Sequence, residues 1–207
     1  MKNSRKKYII GIIGAVGAGK STVAAEFARL GCGIVRADEL NHELLMRSEI
    51  IERLVGWWGV GILKPDGRID RSIVADIVFE NDVELKKLTD LVHPLIEHRI
   101  ERLIHIYQED TAIKAVILDV PLLIEADLLK FCDFVIFVKT NEQNREKRLK
   151  NNRHWTPQRI KIIENLQISL DFKEKMSEYT INNNSGIPAT ASQVEQIFLS
   201  ILEQKKR

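Results

Sequence analysis

The chain has 207 residues, 44% hydrophobic and 29% charged, which is the balance of an ordinary water-soluble globular protein. Its 31 basic against 29 acidic residues leave a formal charge of only +2, too weak a bias to imply nucleic-acid binding. No apolar run approaches the roughly 18 residues of a membrane span, so neither a nucleic acid nor a membrane is an expected partner. Basic residues cluster at the two ends, as Lys2, Arg5, Lys6, Lys7 and Lys205, Lys206, Arg207, and solvated termini account for them. The first cluster precedes a short apolar stretch, but that stretch runs straight into the glycine motif described next. Cleaving it as a signal peptide would destroy the motif, so a signal is rejected. Cys32 and Cys132 lack metal-ligand or C-x-x-C spacing and read as small buried hydrophobes, consistent with a reducing cytoplasm.

The first element is a strand expected over residues 8–13, apolar and largely β-branched as a buried parallel strand requires. It leads into Gly14-Ala15-Val16-Gly17-Ala18-Gly19-Lys20-Ser21, which satisfies G-x-x-x-x-G-K-[ST]. A helix over 20–30 follows, closed by Gly31. Strand, glycine loop and helix start together surround an anionic phosphate with backbone N–H groups. In that arrangement Lys20 reaches the outer phosphates, Ser21 coordinates Mg²⁺, and Gly14 to Thr22 form the nucleotide cradle. A second strand is expected at 33–36, and Asp38 follows it. Near the phosphate loop Asp38 can accept a hydroxyl proton or support Mg²⁺; as an N-cap it would start a helix at Glu39. Both readings stand at this point.

Residues 40–110 depart from strand-helix alternation and carry helical periodicity, broken at Gly56, Gly59, Gly61 and Pro65-Asp66-Gly67. Leu85, Leu88, Leu91, Val92, Leu95, Ile96, Ile100 and Leu103 mark an amphipathic helix. His93-Pro94 reads as the opening of a helix, with proline in its first turn. Trp57-Trp58 reads as packing. A helical insertion over the carboxyl edge of a sheet is a candidate acceptor-binding domain.

Alternation resumes with strands expected at 114–119, 134–138 and 179–182, and helices at 141–151, 157–168 and 190–204. Asp119 closes the third strand in a Walker B-like position, where a charged end needs solvent, a partner or a metal; support of Mg²⁺, directly or through water, is favoured over a cap. Arg145, Lys147, Arg148, Lys150, Arg153 and Arg159 lie where a lid would cover the nucleotide, although most must form a solvated helix face. Asn182-Asn183-Asn184-Ser185-Gly186 reads as a turn after the last strand, with an amide offered to a purine ring as the other possibility.

These residues resemble one family, the dephospho-coenzyme A kinases, from about residue 8 to 186. The likeness rests on Gly14–Thr22, Ala37-Asp38, Ile62-Leu63 with Asp66-Gly67-Arg68-Ile69-Asp70-Arg71, and Val78-Phe79. It continues through His93-Pro94-Leu95-Ile96, Asp119-Val120-Pro121-Leu122-Leu123-Ile124-Glu125 and Arg148. The phosphate loop is common to many enzymes; the ordered set D-G-x-I-D-R, H-P-L-I and D-V-P-L-L-x-E discriminates. The resemblance implies an α/β P-loop nucleoside triphosphate hydrolase fold with a five-stranded parallel sheet flanked by helices. Its core would span 7–39, 112–140 and 177–207, with a helical coenzyme A insertion at 40–111 and a lid at 141–176. It implies transfer of the γ-phosphoryl of ATP, with Mg²⁺, to the ribose 3′-hydroxyl of dephospho-coenzyme A. Asp38 becomes the general base, Lys20 and Arg148 stabilise the transferring group, and Asn183 joins the nucleotide side. Arg71, His93, Pro94, Pro121, Leu122 and Leu123 belong to the acceptor side. A cytoplasmic monomer or weak homo-oligomer is expected.

The chain departs from the family pattern at Ile13, where Thr is usual, at Ala15 for Gly, at Arg36 for Asp, and at Asn152-Arg153 for an Arg-Asp pair. Loss of the hydroxyl at position 13 removes a hydrogen bond of roughly 0.5–1.5 kcal/mol. Two other functions fit parts of the pattern: a nucleoside or nucleoside-monophosphate kinase of the same fold, and a catalytically weakened nucleotide-binding paralogue.

Overall fold

The computed structural model describes residues 6–153, 160, 164 and 167–204, without the side chains of Asn152 and Arg153. Five strands, β1 (Ile9–Gly14), β2 (Gly33–Arg36), β3 (Val116–Asp119), β4 (Phe134–Lys139) and β5 (Tyr179–Asn182), form one sheet in the order β2-β3-β1-β4-β5. All its pairings are parallel. β1 and β3 are buried along their whole length, which is why they read as unbroken apolar runs rather than as alternating ones. The expected strands are all present, each shifted by no more than two residues. Their order is new information: β3 lies between β1 and β2, so the carboxyl end of β2 is one strand away from the phosphate loop and not beside it.

The helices are α1 (Lys20–Arg29), α2 (Ala37–Leu44), α3 (Ser48–Trp58), α4 (Arg71–Glu80), α5 (Asp82–Glu109), α6 (Glu142–Arg153), α7 (Leu170–Lys175) and α8 (Ile187–Gln204). One face of the sheet supplies Ile10, Ile12, Ile117, Ile136 and Ile181 to a core closed by Val23 and Phe27 of α1 and Val194, Phe198 and Ile201 of α8. Phe27 and Phe198 meet edge to face at 5.8 Å, a geometry that adds to burial worth roughly 1.5–3 kcal/mol per large side chain. On the other face Gly11 makes room for Leu123: a Cβ on Gly11 would lie 2.6 Å from Leu123 Cδ2 and 2.8 Å from Cys132 Sγ. Both cysteines are free thiols, and burial pushes each up to about 12, so they are inert packing residues.

Contact between segments divides the chain into two compact units, one of residues 37–102 and the other of the chain on either side of it. Within the 37–102 unit, Leu44, Ile50, Leu54, Ile62, Ile69, Val74 and Val92 form a separate core. α3 runs through Gly56 and stops at Gly59; Trp57 and Trp58 stack edge-on against each other at 5.7 Å. Trp58 Nε1 donates to Glu84 at 2.6 Å and the Lys87 ammonium sits 4.6 Å from the Trp57 ring, so this pair packs within its own unit.

Four local expectations are corrected. α5 is a continuous helix of 28 residues with Pro94 in its interior, so His93-Pro94 does not open a helix. Proline there lacks the N–H that would bond the Asp90 carbonyl, a loss that the long apolar stripe on either side outweighs. α2 starts at Ala37, which puts Asp38 inside the first turn and removes the N-cap reading. α8 starts at Ile187 rather than at 190, directly after Gly186 in the left-handed region at φ 91°. Lys7 is not merely solvated: its ammonium donates to the Tyr107 carbonyl at 2.9 Å and to the Gln108 carbonyl, among the last acceptors of α5. The helix expected over 157–168, and Arg159 with it, lies outside the described residues except at isolated positions, as do Lys2, Arg5 and the C-terminal basic cluster.

Candidate active site

The phosphate loop turns between β1 and α1 with Gly19 at the helix N-cap, φ 90°. No side chain caps α1 and its first turn holds no acidic residue. The positive end of the helix dipole therefore carries no countercharge or side-chain cap of its own, the arrangement that takes a phosphate. A Cβ on Gly14 would come within 2.7 Å of the Val138 carbonyl, and one on Gly19 would overlap Asn183 Nδ2. The ammonium of Lys20 donates to the Gly14 and Ala15 carbonyls, both at 3.0 Å, and so curls back over the loop. Ser21 is exposed beside it.

Behind the loop the chain holds one peptide from three directions. The Ala18 carbonyl accepts from the Thr140 hydroxyl at 2.8 Å, from Asn183 Nδ2 at 2.8 Å and from Arg148 Nη1 at 3.1 Å. Asn183 is 4% exposed; its Oδ1 accepts from the hydroxyl of Thr190, which is wholly buried, at 2.9 Å. Its main-chain carbonyl accepts from Arg148 Nη2 at 2.8 Å. Residues 183–186 make the turn between β5 and α8, as expected, but the amide at position 183 is not displayed, because the Asn183 side chain is spent on the loop.

α6 presents Arg145, Arg148 and Leu149 inward while Lys147 and Lys150 remain exposed, the spacing of one helix face. Arg145 pairs with Glu164, and its buried Nε has no partner among the described residues. Arg153 is in the helix, but its side chain lies outside the described residues.

At the strand ends, Asp119 is 7% exposed and stands in register with Arg36 across the β2–β3 pairing and with Ile12 on β1. Asp38 is exposed on α2. Beyond β3 the chain coils through 120–127, closed by the Ala126 N–H to Leu122 carbonyl bond at 2.9 Å and the Leu128 N–H to Leu123 carbonyl bond at 2.9 Å. Pro121 and Leu122 are half-buried there, whereas Leu123 is 1% exposed and packs into the core. Glu125 reaches across to the chain around α7: its Oε1 accepts from the Ile168 N–H at 2.9 Å and lies 3.0 Å from the Lys173 ammonium, which is almost fully buried.

In the 37–102 unit the D-G-x-I-D-R segment resolves into a small hairpin with a cap. Gly67 turns at φ 80°, Ile69 enters the core, and the Asp70 carboxylate caps α4 by accepting from the Ser72 N–H at 2.9 Å. Arg71 is left exposed. His93 is half-buried on α5, and burial lowers its pKa against the opposing pull of Asp90 and Glu97; Pro94 beside it is exposed.

The sequence singled out Gly14–Thr22, Arg148 and Asn183, and the fold brings these together. Thr140, Thr190, Glu125 and Lys173 were not singled out, and Arg145 was named only among the basic residues of the lid. Glu125 lies inside one of the family motifs; Thr140 carries no local signal because its partner is the Ala18 carbonyl, 122 positions away, and Thr190 carries none because it acts through the Asn183 amide. Among the described residues no cluster of three or more His, Cys, Asp or Glu side chains is placed to hold a metal. One exposed hydroxyl at Ser21 and one carboxylate at Asp119 suit Mg²⁺, which keeps most of its ligands as water and phosphate oxygens.

A parallel sheet in this order, with a glycine loop at the end of its central strand and an arginine-bearing helix packed on that loop, defines a P-loop kinase. The Thermus thermophilus protein TT1252 superimposes with a TM-score of 0.80 at 25% identity, over 96% of this chain and 99% of that one. A dephospho-CoA kinase from Campylobacter jejuni superimposes at 0.71 and 23% identity, over 96% and 99%, and shares the fold. Residues 8–189 match the dephospho-CoA kinase family as a whole, and the chain belongs to that family. A dephospho-CoA kinase of Dehalococcoides mccartyi is 33% identical over 195 residues, 94% of this chain and 98% of its own.

Proposed function

We propose that the chain is an ATP-dependent kinase that phosphorylates the ribose 3′-hydroxyl of dephospho-coenzyme A, the final step of coenzyme A synthesis. The observation that carries this reading is the family match over 8–189, joined to an uncapped glycine-loop helix that suits a triphosphate. ATP supplies the phosphoryl group, and Mg²⁺, held through Ser21 and Asp119, supplies charge neutralisation. The backbone N–H groups from Gly14 to Thr22 cradle the phosphates, and Lys20 leaves the loop carbonyls for the outer ones. Asp38, exposed after β2, takes the proton of the acceptor hydroxyl, and Arg148 balances charge on the transferring group. Asn183 acts on the nucleotide side by propping the loop.

The insertion at 40–111 binds the acceptor through Arg71, His93 and Pro94, and the coil after β3 contributes Pro121 and Leu122. Leu123 serves this side by filling the core beneath that coil. Residues 141–176 form the lid. The two free thiols suit a reducing cytoplasm; no described helix is long and apolar enough to cross a membrane.

The test is a coupled assay with ATP and dephospho-coenzyme A, with nucleoside monophosphates as competing acceptors. Turnover of dephospho-coenzyme A is expected to fall roughly 10²–10⁴-fold in Asp38→Asn and roughly 10²–10³-fold in Lys20→Ala. Near-normal turnover by Asp38→Asn removes the base assignment. Preference for a nucleoside monophosphate would replace the acceptor, and ATP binding without transfer to any acceptor would make the chain a weakened paralogue.

A further inference from the structure

The Ala18 carbonyl has two lone pairs and three donors. The two shorter bonds, from Thr140 and Asn183 at 2.8 Å each, fill those lone pairs; the Arg148 bond at 3.1 Å is the surplus one. The peptide between Ala18 and Gly19 is trans, as no described peptide bond is cis. Its N–H therefore points opposite to its carbonyl. Whatever holds the Ala18 oxygen against Thr140 and Asn183 also holds the Gly19 N–H toward the other side of the loop. The Asn183 amide has only one orientation available for this. The Ala18 oxygen can only accept, so the NH₂ end faces it, and Oδ1 is left to the buried Thr190 hydroxyl at 2.9 Å, nearer than the Gly186 carbonyl that competes for the same proton at 3.1 Å. The contact is close enough that no side chain other than hydrogen fits at Gly19.

We propose that Thr140 and Asn183, the latter oriented by Thr190, are positioning residues that fix the Ala18–Gly19 peptide in its phosphate-binding orientation, and that Arg148 is the donor released from the Ala18 carbonyl when nucleotide phosphates arrive. Release of Arg148 leaves two donors on two lone pairs. Its guanidinium exchanges neutral carbonyls for a phosphate, a stronger charge-assisted partner. Loss of Thr140 or Asn183 instead makes Arg148 necessary at the carbonyl and harder to hand over. The proposal rests on the reading of this loop as the ATP site.

The experiment compares the wild type with Thr140→Val, Thr140→Ser and Thr190→Val, all as full chains, in steady-state kinetics with ATP and dephospho-coenzyme A varied separately. Thr140→Val is expected to raise the ATP KM about fivefold, the scale of one lost hydrogen bond, and to lower kcat while leaving the acceptor KM unchanged. Thr140→Ser keeps the hydroxyl and restores the ATP KM. Thr190→Val shows the same split in smaller measure and stands in should Thr140→Val not fold. A wild-type ATP KM in both Thr140→Val and Thr190→Val overturns the proposal, as does an equal rise in both KM values that Thr140→Ser does not correct. Calorimetry of ATP on the wild type separates the two levels: absence of binding there removes the ATP-site reading itself, whereas binding with unaltered variants removes only this inference.

Discussion

The phosphate loop and the hairpin at 63–70 are both tight turns built around a left-handed glycine, Gly19 at φ 90° and Gly67 at φ 80°, yet they are stabilised in opposite ways. The loop is held by residues more than a hundred positions away: Thr140, Arg148 and Asn183 all reach Ala18. The hairpin closes on itself, with the Lys64 N–H bonded to the Arg68 carbonyl at 2.8 Å and Arg68 paired to Asp66 two residues before it. A turn of the first kind fails when something remote changes. One of the second kind fails only when its own few residues do. The same contrast separates two ion pairs: Glu125–Lys173 joins distant segments and is buried, at 15% and 2% side-chain exposure, while Asp66–Arg68 lies in solvent at 46% and 63%.

The ion pairs give the largest expected effect. Removing the Lys173 charge leaves the Glu125 carboxylate without its counter-ion and with only the Ile168 N–H on Oε1, while Oε2 already lacks a partner among the described residues. Lys173→Met is expected to cost about 3–5 kcal/mol, a fall in Tm of roughly 10 °C or more. Arg68→Met removes the same charge type from an exposed pair, where solvent screening makes such bridges weak, and is expected to leave Tm where it was. Equal melting shifts in the two variants would collapse the distinction between remote and local support.

The glycines come next. Gly19→Ala and Gly67→Ala both force a Cβ into a left-handed backbone, at about 1–2 kcal/mol each. At Gly67 nothing lies within 4 Å, so that is the whole cost, and the ATP KM should not move. At Gly19 the methyl overlaps the Asn183 amide, so the loop must also open, and ATP binding measured by calorimetry is expected to be lost. An alanine at 19 that binds ATP normally would show that the remote clamp is dispensable.

The contrast also governs what could be read from the sequence. The strands were legible because β1 and β3 are buried on both faces and show as unbroken apolar runs. Gly31 was legible as a helix stop, and its N–H bonds the Ala28 carbonyl at 3.0 Å while that of Cys32 bonds Phe27 at 3.2 Å, a Schellman end. The strand order was not legible, since no local pattern says that β3 enters between β1 and β2. Pro94 misled because a proline in the first turn is commoner than one inside a 28-residue helix. In the site, Gly14 to Ser21 and Arg148 announced themselves by motif, whereas Thr140 and Thr190 work through backbone and amide groups that no motif encodes. The D-G-x-I-D-R segment carries the family likeness, yet most of its residues serve the turn, the core and the α4 cap.

The smallest expected effect concerns His93, where local and remote support meet in one side chain. Burial lowers its pKa below the ordinary 6.5, and the carboxylates of Asp90 and Glu97, one turn to either side, only partly offset this. The unfolded chain therefore binds a proton more readily than the folded one. The sign follows from linkage: stability is intact above the unfolded value and declines as pH falls through and below it. Tm measured from pH 7 down to pH 5 should fall more steeply for the wild type than for His93→Gln, which cannot take the proton. Half exposure keeps the difference modest. Identical slopes would mean that the flanking carboxylates of α5, a local pair of charges, cancel the burial completely, and His93 would then belong with Asp66–Arg68 among the features that the helix itself decides.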